Sequence, residues 1–338
     1  MSLLLFLAVL AAAGVAGKQW LMSRLGPVAS GSSESVLVVV PSGASTREVA
    51  DLLFAGGVIK DPTFFRYYAQ YKKVDAQLQG GEYELSRSMT PDEILAKLSR
   101  GEVVVRRFTV PEGLTVAELA DLLAGKKLVE REAFLAAAAA SKLNAAHLPD
   151  GVALTQPLEG YLFPSTYDYK PGITAEQILA MMYARWEDAF EAALRQRGAK
   201  PDLTVHELMT LASIIEEEAQ VAEERPVISG VYMNRLAIGM KLDADPTVRY
   251  GLAKDPKEEL RLADLQIESP YNTYLQAGLP PGPIAAPGQA SIEAALSPQK
   301  HDFWYFVAKA DGSGQHYFAS TLDEQTANIE KAAANAKK

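Results

Sequence analysis

Two stretches of the chain carry the same order of apolar and polar positions. The first, VLVVVPSGASTREVADLLFAGG, covers residues 36–57, and the second, RFTVPEGLTVAELADLLAGKK, covers residues 107–127. Each begins with a short strand-like run and passes through a proline and a glycine. In each, a hydroxyl residue and a glutamate three positions later mark the start of a helix, and leucine and alanine then recur at helical spacing. The pattern predicts one strand–turn–helix unit that is used twice.

The remaining pattern predicts short elements of both kinds. Between the two copies it predicts strand, helix and strand, with Thr90 as the helix N-cap. Further helices are predicted over 130–148, over 172–198, from Thr204 to Ala222 and over 322–337, with long loops across 240–300 and a β-hairpin over 303–320. The prediction is an α+β fold, with a small β-α-α-β module over residues 35–110 and a mixed α+β domain over residues 111–338.

The N-terminal residues form an apolar tract. Residues 2–17 contain no charged side chain, and the apolar pattern continues past Lys18. A helix over residues 2–22 is just long enough to span the hydrocarbon core of a bilayer. The rival interpretation is a cleaved signal peptide, because small residues follow the apolar tract. Both place the rest of the chain outside the cytoplasm, and we interpret residues 1–25 as a single-pass transmembrane anchor in the cytoplasmic membrane, followed by a flexible linker over 26–34.

Composition excludes several classes of site. The chain has 338 residues and a net charge of −9, with no long basic stretch, so nucleic acid is not a predicted partner. It has no cysteine, and its four histidines are not spaced as ligand pairs on a helix. We therefore predict neither a metal site nor a cofactor.

Three consecutive glutamates, Glu216, Glu217 and Glu218, lie in one predicted helix. At 100° per residue, the apolar residues of this helix fall on one face. Glu217 lies nearly opposite that face, whereas Glu218 falls at its edge beside leucine and isoleucine. We therefore expect a solvated Glu217 and a partly buried Glu218.

A partly buried Glu218 has two interpretations. Loss of hydration and neighbouring like charges raise the pKa of a carboxyl group. A carboxylic acid that keeps its proton near neutral pH is what cleavage of a glycosidic bond requires. The other interpretation is a charged helix end in which Glu218 pairs with Arg225 or another base. The helix pattern alone leaves both open.

Five further stretches carry a more specific pattern. In chain order they are LEGYLFPSTY (158–167), LASIIEEEA (211–219), VYMNRLAIGMKLDADPTVRYG (231–251), SPYNTYLQAGLPPGPIAAPG (269–288) and YFVAKADGSGQHYFAST (305–321). Together they resemble the YceG-like (MltG) family of endolytic lytic transglycosylases, from the linker to the C-terminus. The resemblance implies a membrane-anchored protein that faces the cell wall, with a LysM-like module at 35–110 and a catalytic domain after it.

The resemblance also implies an activity. It implies cleavage of the β-1,4 bond between N-acetylmuramic acid and N-acetylglucosamine in nascent peptidoglycan glycan strands, which leaves a 1,6-anhydromuramic end and terminates elongation. It implies that the last glutamate of an E-x-E motif, here Glu218, is catalytic. Peptidoglycan synthases are candidate partners.

Polar residues within these stretches are candidates for substrate binding. They are Glu159, Asp245, Thr247, Tyr271, Asn272, Thr273 and Tyr274. Their hydrogen-bonding groups and aromatic faces suit a sugar groove. Structural roles are also open for some of them: Glu159 could brace its loop, and Asp245 or Thr247 could cap a helix. Arg235 is open between an ion pair in the core and a contact to peptide carboxylates.

Three other functions stay open from the sequence. A non-catalytic wall-binding protein would use the module at 35–110 to hold glycan without breaking a bond. A scaffold for peptidoglycan synthases would depend on the membrane anchor and not on Glu218. A hydrolase would use water in place of the sugar hydroxyl, and only its products would distinguish it from a lyase.

Overall fold

Two units make up the chain, as judged by the contacts within it. The computed structural model describes residues 33–149, 154, 156–197, 202–254, 258 and 260–337, together with residues 15, 17, 19, 20 and 22–31. The first unit comprises Met1–Phe108 and Tyr167–Gly172, and the second comprises Thr109–Thr166 and Ile173–Lys338. The predicted boundary after residue 110 and the functional assignments of the two parts stay predictions.

The first unit begins with the predicted β-α-α-β order. Its elements are β1 (Ser35–Val40), α1 (Thr46–Ala55), α2 (Pro62–Tyr71), a 3₁₀ turn (Asp75–Gln77), β2 (Gly81–Ser86), α3 (Pro91–Arg100) and β3 (Arg106–Thr109), the last of which continues into the second unit. β1 and β2 pair antiparallel, from Ser35 opposite Ser86 to Val40 opposite Gly81. Alternate strand residues such as Val38 and Tyr83 are buried against the helices, because successive side chains of a strand point to opposite faces.

The second unit is mainly helical. The elements that follow β3 along the chain are α4 (Val116–Gly125), α5 (Arg131–Ala140), β4 (Thr166–Tyr169, of which Tyr167–Tyr169 belong to the first unit), α6 (Ala175–Arg197), α7 (Val205–Glu218), a 3₁₀ turn (Ala222–Glu224), α8 (Arg225–Ala237), α9 (Asp245–Gly251), a 3₁₀ turn (Asp264–Gln266), α10 (Gln289–Leu296), β5 (Tyr305–Ala308), β6 (His316–Ala319) and α11 (Leu322–Asn335). β3 pairs with β4, and β5 pairs with β6 as the predicted hairpin. The mixed α+β prediction is confirmed.

The two predicted copies have the same local structure. Ser45 caps α1 and Thr115 caps α4, and in each the glutamate three residues later returns a hydrogen bond to the cap. The glycine of the preceding turn has a positive φ in both copies, a conformation that favours glycine. The repeat seen in the sequence is therefore a repeated turn and helix start.

Two predicted helices are longer than the observed ones. α5 ends at Ala140 and not near residue 148, because Ser141 is extended and its hydroxyl accepts a hydrogen bond from the Leu143 amide at 3.3 Å. α7 ends at Glu218 and not at Ala222, because Ala219 is also extended. Short polar side chains and tertiary contacts override helical periodicity at such ends.

The predicted transmembrane anchor over residues 1–25 lies mostly outside the described residues. Among the residues that the structure does describe, no helix combines the length and the apolar character needed to cross a membrane. The anchor stays a prediction.

Candidate active site

Helix α7 carries the three glutamates at its C-terminal end. Thr204 caps its N-terminus, where its hydroxyl and amide bond the Glu207 carboxylate at 2.8 and 2.7 Å. The helix packs against α8 and α10, and its residues from Leu208 to Ile215 are buried. Because the chain leaves helical geometry at Ala219, the glutamates occupy the last turn.

Glu216 is the buried, ion-paired member of the three. Its Oε1 lies 3.2 Å from Nη2 of Arg225, and their side chains are 8% and 13% exposed. The Gly288 amide donates to Glu216 Oε2 at 2.9 Å, and Arg225 Nε donates to Ser291 at 3.0 Å. The pairing of Glu218 with Arg225, one of the two sequence interpretations, is therefore not present: Arg225 binds Glu216.

Glu217 is exposed, as the helical wheel predicts. Its carboxylate lies near the backbone of Gly113 and lines a cavity of about 670 Å³. The surrounding protein removes part of the hydration of this carboxyl group, and this loss raises the pKa of Glu217 to about 7. The negative charges of Glu118 and Glu216 act in the same direction.

Glu218 is partly buried, also as predicted. Burial raises its pKa to about 7, and the charges of Asp245 and Glu217 act in the same direction. The Tyr232 hydroxyl donates to Glu218 Oε1 at 3.0 Å, and this bond lowers the pKa, as does the charge of Arg235. The result is a carboxyl group that titrates near neutrality.

Tyr232 is a site residue that the sequence analysis missed. It lies on α8 and is fully buried, with its ring edge-on to Phe306 at 5.7 Å. Its place in the stretch VYMNRL fits a core residue equally well, so only the folded chain identifies its hydroxyl as the partner of Glu218.

Arg235 lies on the same helix and is buried. Its guanidinium donates to the backbone carbonyls of Trp304 and Leu242, each at 2.7 Å, and lies 3.5 Å from Asp243. These contacts favour the core role that the sequence left open for Arg235.

Asp245 and Tyr274 both interact electrostatically with Glu218. Asp245 is exposed at the start of α9, and the Tyr274 hydroxyl donates to its Oδ1 at 2.7 Å. Loss of hydration raises the pKa of Tyr274 above its usual range, and the hydrogen bond to Asp245 acts in the same direction. The structure thus brings Glu218, Asp245 and Tyr274 into one electrostatic cluster.

Thr247, Asn272 and Thr273 are buried and hold the loops of the site. The two threonine hydroxyls lie 2.9 Å apart, and the Asn272 amide donates to the carbonyls of Leu265 and Ile267 at 3.0 and 2.9 Å. Their predicted contact with substrate stays a prediction, while their observed contacts shape the backbone.

Glu159 and Tyr271 line the same cavity as Glu217. Glu159 is buried and accepts hydrogen bonds from the Val116 amide at 3.0 Å and the Tyr250 hydroxyl at 3.1 Å. Burial raises the pKa of Glu159 to about 8. Tyr271 packs against Tyr250 with ring centroids 4.8 Å apart. Pro246, which follows Asp245, is another lining residue, so the cavity begins one residue from the Glu218 cluster.

A metal centre has no ligand set in the described part of the chain. Within those residues, no three histidine, cysteine or carboxylate side chains are grouped to hold an ion. The chemistry that the described residues offer is proton transfer by carboxyl groups with pKa values near neutrality.

Comparisons with known proteins identify similar chains. The model of the YceG-like family matches residues 38–331. An endolytic murein transglycosylase of Bacillus subtilis is 36% identical, over 91% of this chain and 88% of the relative. A protein of the same name from Streptococcus pneumoniae is 33% identical over 97% of this chain, which spans 64% of that relative. A crystal structure of a yceG-like protein from Listeria monocytogenes covers 88% of this chain and 99% of its own, with 35% identity and a TM-score of 0.59.

Proposed function

The chain belongs to the YceG-like family, and from this premise we propose that it is an endolytic peptidoglycan lytic transglycosylase with Glu218 as its catalytic acid and base. It cuts the β-1,4 bond between N-acetylmuramic acid and N-acetylglucosamine inside glycan strands. The observation that carries the assignment of Glu218 is a partly buried carboxyl group, with its pKa raised to about 7, at the end of α7.

The proposed reaction uses one carboxyl group twice. Protonated Glu218 gives its proton to the leaving glycosidic oxygen while positive charge develops on the sugar ring. The resulting carboxylate takes the proton of the C6 hydroxyl of the muramic residue, whose oxygen attacks C1. The product is a 1,6-anhydro ring, so no water is consumed and no second carboxylate has to activate one.

The surrounding residues support both halves of this cycle. The Tyr232 hydroxyl stabilises the carboxylate form of Glu218 and fixes its orientation. The negative charge of Asp245, held by Tyr274, opposes loss of the Glu218 proton before reaction. It also stabilises positive charge on a sugar bound beside it. The cavity lined by Glu159 and Tyr271 accommodates substrate groups next to the cleaved bond.

Strand shortening tests the proposed activity. Full-length protein in detergent is incubated with long uncrosslinked glycan strands, and strand length is followed by chromatography. Internal cleavage is expected to lower the mean length early, before short fragments accumulate. Retention of the strands at unchanged length would contradict the proposal and favour the non-catalytic wall-binding alternative.

Activity is expected to fall as the pH rises through about 7. Burial raises the pKa of Glu218 to about 7, so the acid form required for the first step is populated below that pH and lost above it. The measurement is the initial cleavage rate at low substrate across roughly pH 5 to 9. A rate that is constant across neutral pH would contradict a Glu218 general acid.

The Tyr232→Phe variant is expected to move this alkaline limb to higher pH. The lost hydrogen bond stabilises the carboxylate, so its removal raises the pKa of Glu218 further. Tyr161→Phe is the matched control, because Tyr161 is also buried and its hydroxyl lies 3.0 Å from His206 and not from a carboxylate. Equal pH profiles for Tyr232→Phe and the control would show that Tyr232 only fills space.

We also propose the cellular setting implied by the N-terminal sequence. Residues 1–25 anchor the protein in the cytoplasmic membrane, residues 35–110 form a LysM-like module, and the catalytic part faces the cell wall, where peptidoglycan synthases are candidate partners. The support is the uncharged tract of residues 2–17 and the β-α-α-β order of the first unit.

Removal of residues 1–25 is expected to make the protein extractable from membranes by alkaline carbonate. Full-length protein that is equally extractable would contradict the anchor.

A further inference from the structure

Helix α2 of the first unit carries a row of aromatic side chains on its solvent side. Phe64, Tyr67, Tyr68 and Tyr71 follow the i, i+3, i+4, i+7 spacing of a single helix face, which we call the aromatic face. Tyr67 is 58% exposed and Tyr71 is 80% exposed. A stripe with this spacing normally packs into a core, so its exposure requires an explanation.

Tyr68 packs against the edge of the hydrophobic core, whereas Tyr67 and Tyr71 are exposed. Phe65 and Ala69 lie on the other side of α2 and are buried in the hydrophobic cluster with Val38, Tyr83 and Leu85. These residues attach α2 to the sheet. The exposed part of the aromatic face, Tyr67 and Tyr71, is therefore not used to attach α2 to the core.

The aromatic face is ordered and extends beyond α2. Phe64 stacks on Tyr68 with ring centroids 5.7 Å apart, and Tyr68 stacks on Tyr71 at 6.4 Å. Trp20, which is 55% exposed, meets Phe64 edge-on at 6.1 Å. The row thus runs from α2 to Trp20, which lies near the end of the predicted membrane-spanning residues 2–22.

Two polar contacts hold the start of α2 against residues 23 and 24. Arg24 lies 3.4 Å from Asp61, at the N-cap of α2, and the Lys60 ammonium donates to the Ser23 carbonyl at 2.8 Å. Both contacts connect the start of α2 to residues that follow the uncharged stretch of residues 2–17.

Basic side chains outnumber acidic ones along the segment that carries the aromatic face. Residues 60–73 contain four basic side chains and one acidic one, a local charge of +3 in a chain whose net charge is −9. Arg66 lies over the Tyr67 ring at 4.8 Å, and Lys72 lies over the Tyr68 ring at 5.5 Å. Asp92 of α3 offsets one of these charges, because it pairs with Lys72 at 2.9 Å and accepts a hydrogen bond from the Tyr68 hydroxyl at 2.8 Å. The combination of tyrosine, tryptophan and basic residues is typical of protein surfaces at the boundary between lipid and water.

We propose that the aromatic face of α2, together with Trp20, lies in the headgroup region of an anionic lipid bilayer. The local positive charge complements anionic headgroups, and the amphipathic rings match the boundary region. Continuity with the apolar tract favours a lipid partner over a glycan strand. The first unit thereby contacts the membrane through α2 in addition to its N-terminal tract. This contact is independent of glycan cleavage.

Depth-dependent quenching tests the contact on the full-length protein. Because the chain has no cysteine, a single environment-sensitive fluorophore can be attached at Tyr71→Cys. The matched control is Glu84→Cys, an exposed position on β2 between the buried Tyr83 and Leu85 and so on the outer side of the sheet. Each labelled protein is reconstituted into vesicles of phosphatidylcholine and phosphatidylglycerol that carry a quencher near the headgroup.

Quenching at position 71 is expected to exceed quenching at position 84 by at least about twofold, since interfacial groups insert only about 5–10 Å below the surface. Equal quenching at the two positions would overturn the proposal. So would a label at position 71 that responds to added glycan strands and not to the vesicles, because the face would then be a sugar-binding surface. Circular dichroism of each labelled protein confirms that the compared proteins are folded.

Discussion

The Glu218→Gln variant is expected to cleave glycan strands about 10²–10⁴ times more slowly than the wild type, the range that general acid–base catalysis contributes. Glutamine keeps the size of the side chain and still accepts the hydrogen bond of Tyr232, but it has no proton to give to the leaving oxygen. The measurement is the initial rate of strand shortening at a pH below 7, where the wild-type acid form is populated.

Glu217→Gln is the sharpest control for this result. Glu217 is the neighbouring carboxyl group, has a pKa that is likewise raised to about 7, and lines the cavity. We expect the Glu217 variant to lose less than about tenfold, because a cavity contact contributes less than the proton donor. A larger loss for Glu217→Gln than for Glu218→Gln would transfer the acid role to Glu217.

A measurement of stability shows whether the Glu218→Gln variant is inactive merely because it is unfolded. Folding raises the pKa of Glu218 from 4.5 to about 7, so a proton on Glu218 stabilises the folded state. This stabilisation is complete at low pH and is lost as the pH rises from 4.5 to about 7. Above pH 7 the wild type holds a charge in a partly buried position, and the neutral amide removes this cost. The free energy of unfolding of Glu218→Gln near pH 8 should therefore be at least that of the wild type.

The Arg225→Ala variant is expected to lose about 3–5 kcal/mol of unfolding free energy, because it leaves the Glu216 carboxylate buried without its cation. The same carboxylate holds the Gly288 amide, and Arg225 also bonds Ser291 at the start of α10. We expect the end of α7 to lose its fixed position, so that cleavage falls together with stability. Chemical denaturation measures the first effect and strand shortening the second.

Arg195→Ala is the matched control for Arg225→Ala. The ion pair of Arg195 with Glu191 is solvated, with side chains 69% and 67% exposed, and its loss should cost about 0.3–0.5 kcal/mol. Adding Glu216→Gln to Arg225→Ala should restore part of the lost stability, because it removes the unpaired charge. Equal costs for Arg225→Ala and Arg195→Ala would mean that the Glu216 pair does not support the end of α7.

The parts of the site that could be predicted depend on local geometry. The helical wheel distinguishes Glu217 from Glu218 because a helix of known start has a fixed angular spacing, and the observed exposure follows it. The repeated strand–turn–helix unit follows from turn and cap residues that act within a few positions, such as Thr115 and Glu118. Such features need no knowledge of distant chain segments.

The parts that could not be predicted depend on distant contacts. Arg225 binds Glu216 and not Glu218, and the same Glu216 carboxylate accepts a hydrogen bond from the amide of Gly288, 72 residues along the chain. The hydroxyl of Tyr232 finds Glu218 only when α8 packs beside α7. The residues Tyr167–Gly172 belong with the first unit, which no local pattern of the sequence indicates.

The chemical nature of the newly formed strand ends distinguishes lytic transglycosylation by Glu218 from hydrolysis. Glycan strands digested by the full-length wild type and by Glu218→Gln are compared by mass spectrometry. We expect internal cuts that carry 1,6-anhydromuramic ends with the wild type and a near absence of new ends with the variant. Reducing ends in place of anhydro ends would contradict the lyase mechanism, and anhydro ends formed equally by both proteins would contradict the role of Glu218.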